Sequence, residues 1–454
     1  MIVKEIREPS RLTPVIAETD VLVAGSGPGG LAAAISSARA GVHTLLVERY
    51  GCLGGNLTHV GVEGIGWYRH ERTVDVEGIG IEFEQRAKAF GAASPEPQSL
   101  SHAINAEMFK IVADNWVKEA GVEVLLHTLA VGAIREGNAL TGIIIESKSG
   151  RQAILAKRII DATGDADIAA FCGVPCRKTP KEEMLAVTVM FSCSGADRAR
   201  FLDYVKANPK KYRDWGKNWE IQTGGKEDEL FSPYLEEPFD KAREAGIIPP
   251  SLKSIGGTWS AISDSGEATY LNMVHMLEYD GTNVRDLTRG EIEGRRQAML
   301  AIKALQYFAP GFEQAALRNF GMTIGIRDTR KILGRYNLTE RDVREQARFG
   351  DSIGIFPEFL DGYGVLVLPT TGRYFHVPYG ALVPLGIDNL LIAGRCVAGD
   401  KISHAAVRNM MCCTVTGQGA GVAAAVSVKK GVSPAEAAIG DIQAELKNQG
   451  VRLR

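Results

Sequence analysis

The chain has 454 residues, 45% of them hydrophobic and 23% charged, with a formal net charge of −2. That length exceeds one ordinary core and predicts two intertwined domains in a globular protein. The near-neutral balance, without a concentrated basic run, excludes nucleic acid and an anionic membrane surface as principal partners.

No stretch approaches the roughly eighteen uninterrupted apolar residues of a spanning helix, and charge alternates with apolar residues over Met1–Glu8, so no membrane span and a cytoplasmic location are expected. The seven cysteines are odd in number and scattered, a pattern of buried thiols rather than of a disulfide framework.

The first element is an apolar strand at Thr19–Ala24, followed at once by Gly25-Ser26-Gly27-Pro28-Gly29-Gly30 and the helix Leu31–Arg39. In such a unit Gly25 allows the tight turn out of the strand. Gly27 lets backbone amides approach a pyrophosphate, and Gly30 lets the helix pack closely on the sheet. A buried parallel strand at Val42–Val47 ends on Glu48, whose carboxylate can accept from ribose hydroxyls. An acid there argues against a 2′-phosphate, hence against NADP, but the unit does not choose between FAD and NAD.

Three further segments favour FAD. Arg49-Tyr50-Gly51-Cys52-Leu53-Gly54-Gly55-Asn56-Leu57-Thr58 is a second glycine-rich loop, where backbone can run beside an extended pyrophosphate and ribityl chain; an NAD domain has no need of it. The strand Arg158–Ile160 leads into Asp161-Ala162-Thr163-Gly164-Asp165-Ala166-Asp167, a turn returning to the nucleotide end. A last strand and turn at Asn389–Arg395, including Gly394 and Arg395, precedes Thr416-Gly417-Gln418-Gly419-Ala420-Gly421. That run is expected to open the helix Val422–Val426, its N-terminus suited to the electron-rich edge of a reduced flavin.

Together these segments resemble the FAD-dependent oxidoreductase family of the glutathione-reductase-like flavoprotein superfamily. The LGG loop, the DATGDAD turn and the C-terminal NLLxAGR…GQxAG signature carry the resemblance from about Pro14 to Val432. It implies a Rossmann-like α/β FAD-binding domain with an inserted α+β substrate or cap domain. It also implies adenine packed near the backbone of Ala130 and Val131, and a fixed architectural or cofactor-facing role for Arg408. The run Cys396–His404 departs from the family's usual pattern, so the resemblance names the cofactor and not the substrate.

The order of pieces predicts FAD-binding segments at 1–185 and 386–454 around a substrate or cap block at 186–385, with a helix at Asn105–Ala120 and paired strands at Gly132–Glu136 and Ala139–Glu146. A short turn is expected between Asn138 and Thr141, and a long helix from Thr288 to Tyr307 is stopped by Pro310-Gly311. The block shows no second strand–glycine–helix–acid series, which argues against a dedicated NAD(P)H domain.

Candidate chemistry centres on few residues. His59, after the glycine loop, suits proton transfer or a substrate hydrogen bond; packing against backbone is the alternative. His404 and Arg408, four apart, share a face if Ser403–Met411 is one helix. Arg327 and Arg330, with Lys331, form either a carboxylate clamp or a domain-interface ion pair. Tyr212, Trp215 and Trp219 line a pocket or join a core. His376 reads as structural and Tyr379 as a lining residue.

Cys52 has no partner for a dithiol mechanism, and Cys172–Cys176 has no second pair or histidine cluster to complete a metal site, so no metal is expected. The leading reading is an FAD enzyme, a dehydrogenase or oxidase, that takes a hydride from a small organic substrate and passes electrons to oxygen, a quinone or a redox protein; a homo-oligomer is compatible with it. The alternatives are an electron-transfer subunit acting only with a partner protein, or a flavin-dependent reductase.

Overall fold

The computed structural model describes residues 6–66, 69–70, 74–96, 102–209, 212, 218–224, 234–368 and 372–454. Strand β1 (Val15–Ala24) runs into helix α1 (Pro28–Arg39), and β2 (Thr44–Val47) returns parallel to β1. Pro28 suits the first turn, where its missing N–H costs no hydrogen bond. Asn105 caps α2 (Ala106–Glu119) by accepting from Met108 N at 2.9 Å, and β3 (Glu123–Leu125) lies parallel to β2.

Strands β4 (Leu129–Glu136), β5 (Ala139–Ser147) and β6 (Gly150–Asp161) form an antiparallel meander, and β6 turns back beside β1 in parallel. The β4–β5 turn is Gly137-Asn138, with Gly137 at φ 62°, so the predicted turn beyond Asn138 sits too late: pairing resumes at Ala139.

A second sheet is antiparallel. It comprises β7 (Phe191–Ser194), β8 (Tyr234–Leu235), β9 (Ile255–Thr258), β10 (Ala261–Ile262) and β11 (Ala268–Val274), with the long helix α3 (Val284–Phe308) and then β12 (Ala316–Phe320). Its order is β8-β9-β11-β7-β12, with β10 on β11. Asn283 caps α3 through Arg285 N at 2.9 Å, and Ala298, Ala301, Ile302 and Leu305 give it an apolar stripe against the sheet.

The chain then returns to the first sheet through β13 (Leu390–Ile392), parallel to β6, completing the order β3-β2-β1-β6-β5-β4 with β13 off β6. Helices α4 (Lys401–Val407) and α5 (Met410–Lys430) follow. The mostly parallel half of this sheet, entered through a glycine turn into α1, is the Rossmann-like α/β arrangement.

The molecule has two apolar cores. The first surrounds β1, β2, β6, α1 and α5 and also takes in Ile332–Leu382; the second gathers residues between Val187 and Ile324. The block 186–385 therefore feeds both cores, its last part packing with the nucleotide-type sheet. α5 is apolar and long enough to cross a membrane by composition, yet 94% of its apolar window is buried inside the protein.

One expectation about α5 is overturned. Thr416–Gly421 lie within it, two turns beyond its start at Met410, rather than opening a helix. Their small size serves close packing on α1. A Cβ at Gly417 would fall 2.0 Å from the Gly29 carbonyl oxygen, and one at Gly421 2.2 Å from that of Ala33. The helix starts earlier because Asn409 interrupts the chain after α4, its amide donating to the Ala405 and Ala406 carbonyls at 3.0 and 2.8 Å and so closing the end of α4.

Candidate active site

A cavity of about 1280 Å³ runs from the carboxyl ends of β1 and β6 to the inner face of the second sheet. This exceeds the roughly 300–1,000 Å³ of ordinary small-molecule pockets. Ligands of open α/β sheets lie at the carboxyl ends of the strands, where these loops converge.

Gly25, Ser26, Gly27, Pro28 and Gly29 line one end. Gly25 sits at φ 98° against the Ala162 carbonyl, and a Cβ at Gly30 would lie 1.8 Å from the Gly25 oxygen, so Gly30 serves helix–turn packing beneath the lining. Glu48 lines the same end, its Oε2 accepting from Ser26 N at 2.8 Å and Ser26 Oγ at 2.6 Å, its Oε1 from Tyr50 N at 3.0 Å. Arg49, Thr128 and Ala130 complete that wall; Val131 does not reach it.

The second glycine loop presses on the first. A Cβ at Gly55 would stand 2.4 Å from Gly27 Cα, so the two turns touch backbone to backbone. Gly55 and Asn56 line the cavity, whereas Gly54 and Thr58 stand behind it, Thr58 Oγ1 donating to the Leu53 carbonyl at 2.6 Å.

The third loop is organised by buried Asp161, which accepts from Thr163 N and Oγ1 at 3.1 and 2.7 Å and from Ala169 N at 3.0 Å. It presents Ala162, Thr163, Gly164 and Asp165 to the cavity, beside Gly394 and Arg395. Arg395 Nη2 donates to Asp165 Oδ1 at 2.8 Å, as does Thr329 Oγ1 at 2.6 Å. Asp167, also on the wall, is pushed up to about 6 by burial and by the Asp165 and Asp161 carboxylates, against the pull of Arg330.

His59 lines the cavity with its Nε2 2.7 Å from the Cys52 carbonyl. A carbonyl only accepts, so Nε2 carries the proton and Nδ1 the lone pair. Burial lowers its pKa, leaving a neutral ring that meets Tyr50 edge-on at 4.6 Å.

Several expected residues stand elsewhere. His404 is buried off the cavity, its Nε2 2.9 Å from the Arg327 carbonyl and its pKa pulled to about 3 by burial and by Lys331. It shares the last turn of α4 with Arg408, whose N–H donates to the His404 carbonyl at 3.1 Å, but that helix stops there and does not run on to Met411. Gln418 accepts from Ile79 N at 2.9 Å and Gly419 packs on Ile353, both on α5 away from the cavity.

Arg327 and Arg330 do not pair as a clamp, since the chain there is extended and not helical. Arg327 faces the cavity, while Arg330 binds Asp167 and the Asp165 carbonyl, the latter at 2.7 Å. Lys331 is buried on Asp328. Tyr379 donates to the Pro434 carbonyl at 2.7 Å, and His376 Nδ1 accepts from Phe349 N at 3.1 Å, both remote from the cavity. Tyr212 and Trp219 line the cavity; Trp215 lies outside the described residues. All seven cysteines are free thiols.

The sequence reading missed Ser26, Asn409, Met410 and Met411 at the nucleotide end, and Tyr270, Asn272, His275, Asp361 and Tyr363 at the other. Ser26 was legible as a hydroxyl inside the glycine turn. The others lie on short strands and breaks with no motif spacing. The start of α5 at Met410–Met411, not the expected Thr416–Gly421, is the helix N-terminus that reaches the cavity.

These features fit an extended dinucleotide. Three glycine turns meet at one end, and Arg395 Nη1 is buried beside them without a hydrogen-bond partner.

Residues 20–446 match the family described as FAD dependent oxidoreductase. Among curated proteins, the chain is 28% identical to the digeranylgeranylglycerophospholipid reductase of Methanocaldococcus jannaschii over 169 residues, 36% of this chain and 42% of that protein. It is 32% identical to the mitochondrial dihydrolipoyl dehydrogenase of Schizosaccharomyces pombe over 170 residues, 35% of this chain and 30% of that protein. The match thus spans less than half the length of either relative. Among solved structures, a geranylgeranyl bacteriochlorophyll reductase-like protein from Thermoplasma acidophilum is similar at 13% identity and a TM-score of 0.48, covering 95% of this chain and 83% of that one. With the family match spanning nearly the whole chain, the protein belongs to the FAD dependent oxidoreductases, and FAD is its cofactor.

Proposed function

We propose that the protein is a dehydrogenase or oxidase that takes a hydride from a small organic substrate and delivers the electrons to oxygen, a quinone or a redox protein. The supporting observation is a cavity continuous from the glycine turns to the polar face of β11 and larger than an ordinary small-molecule pocket. FAD, when bound, supplies two-electron acceptance from an adjacent carbon.

The chain's own residues supply orientation and exclusion of water. Glu48 is fixed by Ser26 and Tyr50 for the adenosine ribose, and Arg395, held by Asp165, offers its unpartnered Nη1 to a cofactor oxygen. His59, neutral and locked through Nε2–H, presents Nδ1 as an acceptor for a proton or a substrate hydroxyl. Arg408 is tied to Asp361 across the break before α5, which favours positioning over direct chemistry.

The test is anaerobic mixing of the yellow holoenzyme with alcohols, amines and carboxylic acids, following loss of flavin colour. At least one class should bleach it. Bleaching by none of them, but by a reduced partner protein, would sink the dehydrogenase reading in favour of an electron-transfer subunit.

A further inference from the structure

The far end of the cavity is built on β11. Tyr270 and Asn272 project from that strand, His275 follows its end, and Arg327 reaches them from the extended segment before Thr329. Arg327 Nη1 donates to the Ala186 carbonyl at 2.7 Å and Nη2 to Asn272 Oδ1 at 3.2 Å, the same oxygen that accepts from Thr188 Oγ1 at 3.0 Å. These bonds hold the guanidinium in place and leave its Nε–H and one N–H on each Nη uncommitted.

Among the described residues no carboxylate pairs with Arg327. Asp361 is the one close enough to act on it, and its Oδ2 is taken by Arg408 Nη2 at 3.0 Å. Two arginines therefore share one acid, and Arg408 Nε is buried without a partner. Burial and Arg408 draw Arg327 down to about 10, so it stays charged at neutral pH. A fixed, desolvated cation that must share its one counter-charge with a second arginine is costly to keep unless something anionic arrives.

The surrounding polar groups have the matching roles. Tyr270 adopts φ 55°, a conformation rarely held by a bulky residue and associated with functional strain. Its hydroxyl makes no hydrogen bond among the described residues, and burial beside Glu96 raises its pKa, so it is a neutral donor. Glu96 itself accepts from Ser260 Oγ at 2.6 Å. His275 Nδ1 lies 3.1 Å from the Gly256 carbonyl and so carries the proton; burial and Arg327 lower its pKa to about 4, leaving Nε2 as a neutral acceptor.

We propose that this end of the cavity takes a carboxylate, an organic acid whose oxygens accept from Arg327 and from the Tyr270 hydroxyl, with His275 Nε2 accepting from a hydroxyl or amine on the same molecule. The assignment rests on the reading of the cavity as a substrate site and narrows it to acids.

Binding tests it without turnover. Oxidised holoenzyme is titrated with benzoate and octanoate and with their uncharged amides, following the flavin absorption spectrum. At least one acid should perturb the spectrum saturably, about tenfold or more tightly than its amide. Arg327→Met should erase that preference with FAD content unchanged, and Tyr270→Phe should weaken the acid several-fold, by about the loss of one hydrogen bond to a charged group.

Equal binding of acid and amide, no binding by either acid, or unaltered acid binding by Arg327→Met overturns the assignment. If Arg327→Met loses its FAD, Arg327→Lys and Tyr270→Phe decide: undiminished acid preference in both counts against it. An acid preference without bleaching by any organic donor would keep this site and remove the dehydrogenase reading; bleaching by neutral donors alone, with no acid preference, would do the reverse.

Discussion

Glu48 commits both carboxylate oxygens to its neighbours before any ligand arrives, Oε2 to Ser26 and Oε1 to the Tyr50 amide. Its removal would release the two loops it ties and, on the proposed reading, delete a ribose acceptor. Glu48→Ala should therefore purify with depleted flavin, its FAD affinity lowered by about tenfold or more for a lost charged hydrogen bond. Full yellow occupancy, read as the flavin-to-protein absorbance ratio, would reject that role. For His59 the expected outcome is kinetic: His59→Asn should slow flavin reduction by substrate about 10²-fold or more if the ring takes a proton, with FAD retained. An unchanged reduction rate assigns His59 to packing on Tyr50.

Residue identity was legible in the sequence where chemistry and spacing coincide. The glycines of the first turn, Glu48 and the Asp161–Asp165 turn all carry their role in their order. Arg327 was legible as a cation, but its separation from Arg330 was not. The chain there is extended, so side chains three apart point to different neighbours, and of the two it is Arg330 that takes up an ion pair, with Asp167. His404 and Arg408 do stand one helical turn apart, yet burial of the His404 ring against the Arg327 carbonyl keeps it off the cavity, which spacing does not report.

At the scale of elements, α1 packs on α5 backbone against backbone at Gly29 and Gly417. Glycines repeated at four-residue spacing along Gly417 and Gly421 were read as a loop entering a helix, because glycine is the poorest helix former after proline. Packing overrides propensity here: only residues without side chains fit between two helices at that distance. Gly421→Val should destabilise the protein by about 2 kcal/mol or more as an overpacked core site, measured as a lowered midpoint in denaturant, and should shed FAD with it because α1 starts from the first glycine turn of the cavity. Gly440, which meets nothing within 4 Å in an exposed helix, supplies the control, and its change to Ala should leave both stability and FAD content nearly unaltered.

The strands show a complementary lesson. β2 and the C-terminal ends of β1 and β6 were readable because Thr44–Val47, residues 21–24 and residues 159–161 are buried on both faces. The short strands of the second sheet were not. β8, β10 and the bulged pairing of β7 with β11 have too few residues for any period to declare itself.

For the molecule as a whole, the neutral buried histidines govern acid stability. His275 and His404 titrate near 4 and 3 in the folded protein against 6.5 for the free side chain. The unfolded chain thus binds protons first, and stability falls as pH drops below 6.5, each histidine adding a slope of about 1.4 kcal/mol per pH unit until its folded value is reached. Asp167 acts in the opposite sense: its folded value of about 6 makes the native state bind a proton earlier than the unfolded chain, returning part of that loss between pH 6 and 4. Melting temperature measured from pH 7 down to 4 should decline, and His404→Gln, which can still donate to the Arg327 carbonyl, should flatten the decline. A slope identical to that of the native protein would remove His404 from this account.

The segment from Arg327 to Arg330 commits every one of its side chains. Arg327 goes to the acid-facing wall, Asp328 to Lys331 and Tyr363, Thr329 to Asp165, and Arg330 to Asp167. Commitments at four consecutive positions make it a ruler with no slack. One inserted or deleted residue would exchange every partner at once, detaching the turn that faces the cofactor from the wall that faces the substrate. A cavity gauged in this way can be retuned for a new acid by substitution on β11, but its length is not open to change by insertion at this point.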